Sequence, residues 1–566
     1  MDLVSDTGVP DDVLTALEFG GGAVLAAAVG RAWYRHSERA ERAGWLHTDG
    51  WVGWSDLRNF VGLRAALRVA DQVRPGLAKD RRGDYKPKPT DYAMALGTIA
   101  AGHRPVRGRG AYLSYEQCVL VIGPPRSGKT MWMIPRILEA PGGVLTASTK
   151  TDVYQATHRL RRRRGPVWVF NPQLLGTIGS TFGWSPVQGC HDHRVATERA
   201  RALVGGTKAV AGISEESWGE KVSEVLRALL MAAAIGGYDM ATVARWVENP
   251  DDQTPLLILE GAPHLAPPGW ASGLRANLEN RADKMRASIW NLLLSVVAFM
   301  SNPTVAAACN PHPDQQFSIE ELVYGRGTLY LIGDDRDETI APLLAALTEY
   351  IHGEAERLAA ADGGRLDPPF GLILDEAARI VPVPLHSWGA TSGGVGMYLV
   401  ALVQTPDQIR ERWGEHNSAT IWSVFGTKLI LGGLSNGRDL EEISKIVGER
   451  DVNAVAEGQS EVRGPRGRHW WKRFARRGSV SRTRTVRTER VLTPAQVRLI
   501  PRQHALVLTS AARATVITYP NGYQQAAERL AAEEKAELKA RARAAGGRVP
   551  DPAGPGPVTP MPQEIR

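Results

Sequence analysis

Short, almost uninterrupted apolar runs alternate along the chain with stretches of helical period. The runs are QCVLVI (117–122), GVLTAS (143–148), PVWVF (166–170), TLYLIG (328–333), FGLILD (370–375), MYLVALVQ (397–404), KLILGG (428–433) and ALVLTS (505–510). Strands of this kind are buried on both faces, the situation of a parallel sheet covered by helices. Between 190 and 320 the period changes. Val222, Leu226, Leu229 and Ala233 recur at helical spacing, SIWNLLLSVVAFM (288–300) continues the pattern, and no comparable strand-like run interrupts it. The pattern predicts an α/β protein with a mostly parallel sheet over 113–190 and 320–518, and an all-α domain inserted at 191–319. The apolar stretch 289–300 is too short to span a bilayer and predicts core.

The ends differ from this body. Asp2, Asp6, Asp11 and Asp12 exclude the positive start of a cleavable signal peptide. Residues 13–30, VLTALEFGGGAVLAAAVG, are apolar except for Glu18 and are followed by Arg31, Arg35, Arg39 and Arg42. This is the charge asymmetry of a membrane anchor over 1–45 whose C-terminal bulk faces the cytoplasm. Glu18 and three consecutive glycines leave an amphipathic surface helix as the alternative. Residues 46–112 form an N-terminal region ahead of the sheet. After 519, QQAAERLAAEEKAELKARARAA predicts a charged helix and DPAGPGPVTPMPQ a disordered tail.

Composition narrows the class. Of 566 residues, 43% are hydrophobic and 23% charged, and the 59 Gly and 36 Pro follow no repeat, which excludes collagen-like, coiled-coil and wholly disordered chains. Cys118, Cys190 and Cys309 are far apart, with neither zinc-site nor disulfide-framework spacing.

Candidate chemistry begins at GPPRSGKT (Gly123, Pro124, Pro125, Arg126, Ser127, Gly128, Lys129, Thr130), which has the form G-x-x-x-x-G-K-[ST] between a strand and a helix. Such a loop wraps phosphates with backbone N–H groups at a helix N-terminus, Lys129 reaches the β and γ phosphates, and Thr130 offers a hydroxyl to Mg²⁺. A second element, FGLILDEAAR, ends a strand in two acids. Asp375 would hold the Mg²⁺ shell and Glu376 would orient and deprotonate the attacking water. Gln404 ends the next strand, where its amide would contact the γ-phosphate or water as a sensor; a plain strand-end polar residue is the alternative.

The net charge of +8 is local. Residues 463–490, RGPRGRHWWKRFARRGSVSRTRTVRTER, hold 11 Lys or Arg and one acid, so the rest of the chain is slightly negative. Arg466, Arg468, Lys472, Arg473, Arg476 and Arg477 interleaved with Trp470 and Trp471 suit a groove that tracks a nucleic-acid backbone and stacks on bases without reading sequence. A solvated disordered loop and a patch for anionic lipid compete with that reading.

Taken together, GPPRSGKT, STKTDVY (148–154), VWVFNP (167–172), FGWSP (182–186), LILDEAAR, LVQTPDQI (402–409) and TKLILGG resemble the TraG/TraD-type coupling proteins of type IV secretion and conjugation, in order over roughly 105–515. The resemblance implies a hexameric RecA-like P-loop NTPase held at the bacterial inner membrane, with an all-α domain inserted between its nucleotide motifs. It implies ATP and Mg²⁺ as cofactors, and DNA, a relaxase and secretion-system components as partners. By the same resemblance Lys129, Thr130, Asp375, Glu376 and Gln404 form the site, with Lys428 as a further phosphate contact. The 246 positions from Lys129 to Asp375 leave room for the insertion. The stretch GATSGGVGMY (389–398), where some relatives carry an arginine finger, has no Arg here; Arg410, Arg412 and Arg438 lie nearby in sequence. The expected function is an ATP-driven motor for conjugative DNA export. A double-stranded DNA translocase of the chromosome-segregation type and a largely non-hydrolysing substrate receptor are the alternatives.

Overall fold

The computed structural model describes residues 50–80, 87–211, 216–279, 284–311, 317–460 and 479–544. The apolar run 13–30, the tail beyond 544 and the eight candidate DNA contacts from Arg466 to Arg477 lie outside the described residues. Among those described, no helix is long and apolar enough to cross a membrane.

Among the described residues thirteen strands are present. They are β1 (Ala93–Ala101), β2 (Gly110–Ser114), β3 (Val119–Ile122), β4 (Val144–Ser148), β5 (Val167–Phe170), β6 (Thr328–Ile332), β7 (Phe370–Leu374), β8 (Met397–Val403), β9 (Thr427–Leu431), β10 (Glu449–Ser460), β11 (Ser479–Arg490), β12 (His504–Thr509) and β13 (Thr515–Thr518). Eleven form one sheet in the order β2-β1-β13-β12-β9-β3-β8-β7-β4-β6-β5. From β9 to β5 every neighbouring pair is parallel. From β9 through β12, β13 and β1 to β2 every pair is antiparallel. The eight apolar runs of the sequence are β3 to β9 and β12. Every residue of β3, β4, β6, β7 and β8 is buried, because helices cover both faces.

The sheet starts earlier than the sequence pattern indicates. β1 and the first half of β2 belong to the region placed ahead of residue 113, and β13 was also not foreseen. β1, AMALGTIAA, is built from small residues, and its half-buried positions break any continuous apolar run. The basic segment is also reorganised. Its C-terminal part is β11, paired antiparallel with β10 from Glu449 opposite Arg490 to Ser460 opposite Ser479. This ribbon is separate from the large sheet. Its base is tied down by Arg490, which donates to Glu441 Oε2 at 2.8 Å.

Between β5 and β6 the described residues form helices and no strand. His193–Gly205 is started by Asp192, whose side chain accepts from Arg194 N, and packs on Glu216–Gly236 and on the long helix Ala341–Ala361. Leu226, Leu229 and Leu293 are fully buried there. One face of the stretch 289–300 is core, with Ile289, Trp290, Leu293, Val296, Val297 and Phe299 buried, while Leu294 is exposed. The charged C-terminal helix, Gly522–Ala544, is docked. Ala526 shares a buried cluster with Ile134, Leu138 and Leu160, and Arg529 donates to Glu139 at 2.7 Å.

Candidate nucleotide site

Parallel pairing brings the C-terminal ends of four strands to one edge. Ile122 is in register with Val403, Leu374 with Ala401, and Ala147 with Leu374. The ladder continues past the strand ends: Gly123 N donates to Val403 O and Asp375 N to Ala147 O. The residues that follow these ends therefore converge on one crevice, where open α/β sheets bind ligands. A cleft of about 580 Å³ opens there, and Pro124 to Thr130, Asp375, Glu376 and Gln404 line it.

The loop turns sharply into the helix Lys129–Glu139 because Gly128 has φ +104°, a conformation that favours glycine. Lys129, 7% exposed, donates from Nζ to Gly123 O at 2.8 Å and stands 3.4 Å from Glu376 Oε1. Thr130 Oγ1 donates to Asp375 Oδ2 at 3.5 Å. Gln404 Nε2 donates to Glu376 Oε1 at 3.1 Å, while the Gln404 backbone N–H is fixed by Gln408 Oε1 at 2.8 Å. Glu376 has φ +49° although it is not glycine, and strained backbone of this kind gathers at functional sites. Burial, reinforced by the charge of Glu376 and opposed by Lys129, pushes the Asp375 carboxyl up to about 7. Lys129 offsets only part of the repulsion between the two carboxylates.

The donor set fits a magnesium nucleotide. The buried Ser127 Oγ and Glu376 Oε2 have no hydrogen-bond partner, a costly state for buried polar atoms that a phosphate and a water would relieve. Thr130 and Asp375 would hold the metal, which when bound supplies positive charge against the phosphate oxygens.

Lys428 is not in this cleft. It pairs with Leu120, two positions before β9 meets Ile122, and so lies toward the opposite edge of the sheet. Its ammonium stands 5.3 Å from the centre of the Trp422 ring, and burial lowers its pKa. Arg410 pairs with Asp439 at 2.8 Å, Arg412 donates to Gly205 O, and Arg438 pairs with Glu442; none lines the cleft.

The cleft also holds residues to which the sequence assigned no role: Lys150, Asp152, Asp335, Arg502, Gln503 and Tyr523. Lys150 and Asp152 follow the end of β4, and that position on a parallel strand was the available signal. Tyr523 had none, because it comes from the C-terminal helix. Its phenol donates to Asp152 Oδ2 at 2.6 Å. Burial and that carboxylate hold the phenol far above its ordinary range, so it remains a donor.

Fold and site define a P-loop nucleotide-binding protein with a RecA-like sheet. Two family models match: "Type IV secretory system Conjugative DNA transfer" over residues 79–187 and "TraM recognition site of TraD and TraG" over 369–502. Both matches are to coupling proteins of the TraG/TraD type, and they take in the phosphate loop and the strand that ends in Asp375. No curated protein matches significantly. Among solved structures, the bacterial conjugative coupling protein TrwBdeltaN70, unbound monoclinic form, is similar at 16% identity and a TM-score of 0.52, over 79% of this chain and 91% of that one. The plasmid coupling protein TrwB in complex with ADP and Mg²⁺ matches at 18% identity and a TM-score of 0.48, over 72% and 85%.

Proposed function

We propose that the protein is an ATP-driven coupling motor that brings a DNA–relaxase complex to a conjugative secretion channel and moves the DNA into it. The observation that carries the reading is the meeting of Lys129, Thr130, Asp375, Glu376 and Gln404, from three strand ends, in one cleft. Lys129 leaves Gly123 O for the β and γ phosphates. Thr130 and Asp375 would hold Mg²⁺. Glu376, already positioned by Gln404, takes the proton of the attacking water, and Gln404 then registers the loss of the γ-phosphate. Hexamer assembly, DNA contact through Arg466, Arg468, Trp470, Trp471, Lys472, Arg473, Arg476 and Arg477, and inner-membrane attachment through residues 1–45 complete the reading.

The test is ATP turnover by the purified protein alone, with single-stranded DNA and with duplex. Stimulation by single-stranded DNA is the expected result. Stimulation by duplex alone would favour a double-stranded DNA translocase, and binding of ATP without turnover in any arm would make the protein a receptor.

A further inference from the structure

The C-terminal helix Gly522–Ala544 begins against the nucleotide-binding loop. Tyr519, at the end of β13, places its buried, unpartnered hydroxyl under Gly128, 2.9 Å from where a Cβ on that glycine would stand. Asn521 Oδ1 then accepts from Tyr523 N at 3.1 Å. Gly522 can only be glycine, because a Cβ there would come within 2.2 Å of Met131 O. That carbonyl is free of its helical partner, since Pro135, four residues on, has no N–H to give. The helix then runs along the loop helix and Asp152–Arg162, held by Arg529 on Glu139 and by Arg163 on Glu537 at 3.0 Å.

This approach delivers Tyr523 to Asp152. Asp152 opens its own helix, lines the cleft, and lies near enough to Asp375 to disfavour a second negative charge there. Thr130 and Asp375, the residues that would hold the metal, are thus joined by a further acid, Asp152, whose orientation a phenol fixes from another element. We propose that Tyr523 is a positioning residue for the metal end of the nucleotide site, holding Asp152 beside Thr130 and Asp375, and that it couples docking of the C-terminal helix to Mg²⁺–nucleotide binding. The inference rests on the nucleotide reading above. By linkage, a helix that strengthens binding is itself held down by the bound ligand to the same degree.

The experiment measures ADP affinity with Mg²⁺ and with EDTA, together with amide hydrogen exchange of residues 522–530, on the full chain. Tyr523→Phe keeps the ring packing and removes only the hydroxyl. It should weaken ADP about three- to tenfold in Mg²⁺ and not at all in EDTA, and the protection that Mg²⁺–ADP gives to 522–530 should shrink. Asp152→Asn leaves the helix contacts in place and should reproduce the Mg²⁺-specific loss. Should Tyr523→Phe unfold, Asp152→Asn decides by the same readouts. Equal Mg²⁺ dependence and equal protection in wild type and variant would overturn the coupling. Lys129→Ala separates the two levels: if it still binds ADP as wild type does, the nucleotide reading itself has failed, and the coupling with it.

Discussion

In the parallel half of the large sheet, β4, β6, β7 and β8 are buried at every position, whereas β1 and β2 in the antiparallel flank mix buried with half-buried residues. The two halves also use their strand ends differently. Parallel strands bring all their C-terminal ends to one edge, so Gly123, Thr149, Asp375 and Gln404 are neighbours by topology alone. Antiparallel strands send successive ends to opposite edges and cannot build such a row. What the flank supplies instead is a return path: β12 and β13 carry the chain back until Tyr519 and Tyr523 stand against the nucleotide-binding loop. The candidate catalytic groups come from the half where the sheet repeats, and support comes from the half where it reverses.

One pair of substitutions separates these roles most sharply. Lys129→Ala should weaken nucleotide binding by a hundredfold or more, on the order of what loss of a charge-assisted phosphate contact implies, with little change in stability. Ile517→Ala, at a fully buried position of β13, should cost about 2–5 kcal/mol of stability and leave affinity as it was. Calorimetric titration and denaturant melts report both; an Ile517→Ala protein that is stable but cannot bind would abolish the division.

Within the parallel half, Glu376→Gln should keep nucleotide binding and lower turnover by about 10²–10⁴. The amide fills the same space beside Gln404 and Lys129 but accepts no proton. Near-normal turnover would remove Glu376 from the role of base.

The β10–β11 ribbon belongs to neither half. Neutralising Arg466, Arg468, Lys472 and Arg473 should weaken binding to all DNA sequences alike. It should also reduce the slope of log affinity against log salt by up to roughly 3, at about 0.7 counterion per single-strand phosphate contact. Unchanged slope and affinity would show that the segment does not touch DNA, and anionic vesicles would then be the ligand to try.

Legibility in the sequence followed the same division. Nearly continuous burial makes β3 to β9 largely apolar, so the parallel strands and the loop and acids that follow them could be located from residues alone. β1 and β13 are short or rich in small residues, and their places depend on pairing partners hundreds of residues away, which no local period encodes. Lys428 shows the converse failure. The family resemblance implied a phosphate role for it, but register puts it two positions short of the ligand edge, over Trp422. Tyr523 was invisible because a charged helix beyond the last strand gives no local sign of where it docks.

A smaller effect tests the seam between the inserted helices and the sheet domain. Glu349, on the helix Ala341–Ala361, faces Arg199 and Glu198 from His193–Gly205. Arg199 itself is taken up between the Trp184 and Tyr350 rings at 4.5 and 4.8 Å. Burial raises the Glu349 carboxyl from 4.5 to about 8, Arg199 opposing the shift and Glu198 adding to it. Between those two values the folded chain keeps a proton that the unfolded chain releases, so stability contributed here is complete below pH 4.5 and is lost as pH rises toward 8. Glu349→Gln removes the titration while keeping the shape. Its unfolding free energy should match wild type at low pH and exceed it above pH 8, by about 1.4 kcal/mol for each pKa unit of the shift that solvent leaves unscreened. His352, one turn further along the same helix, provides the control. Burial lowers it from 6.5 to about 3, so its contribution disappears as pH falls through that window, and that acid limb should survive the substitution unchanged. Identical stability profiles for Glu349→Gln and wild type from pH 4 to 9 would mean that the seam leaves Glu349 open to water and that the inserted helices are less tightly joined to the sheet domain than these contacts show.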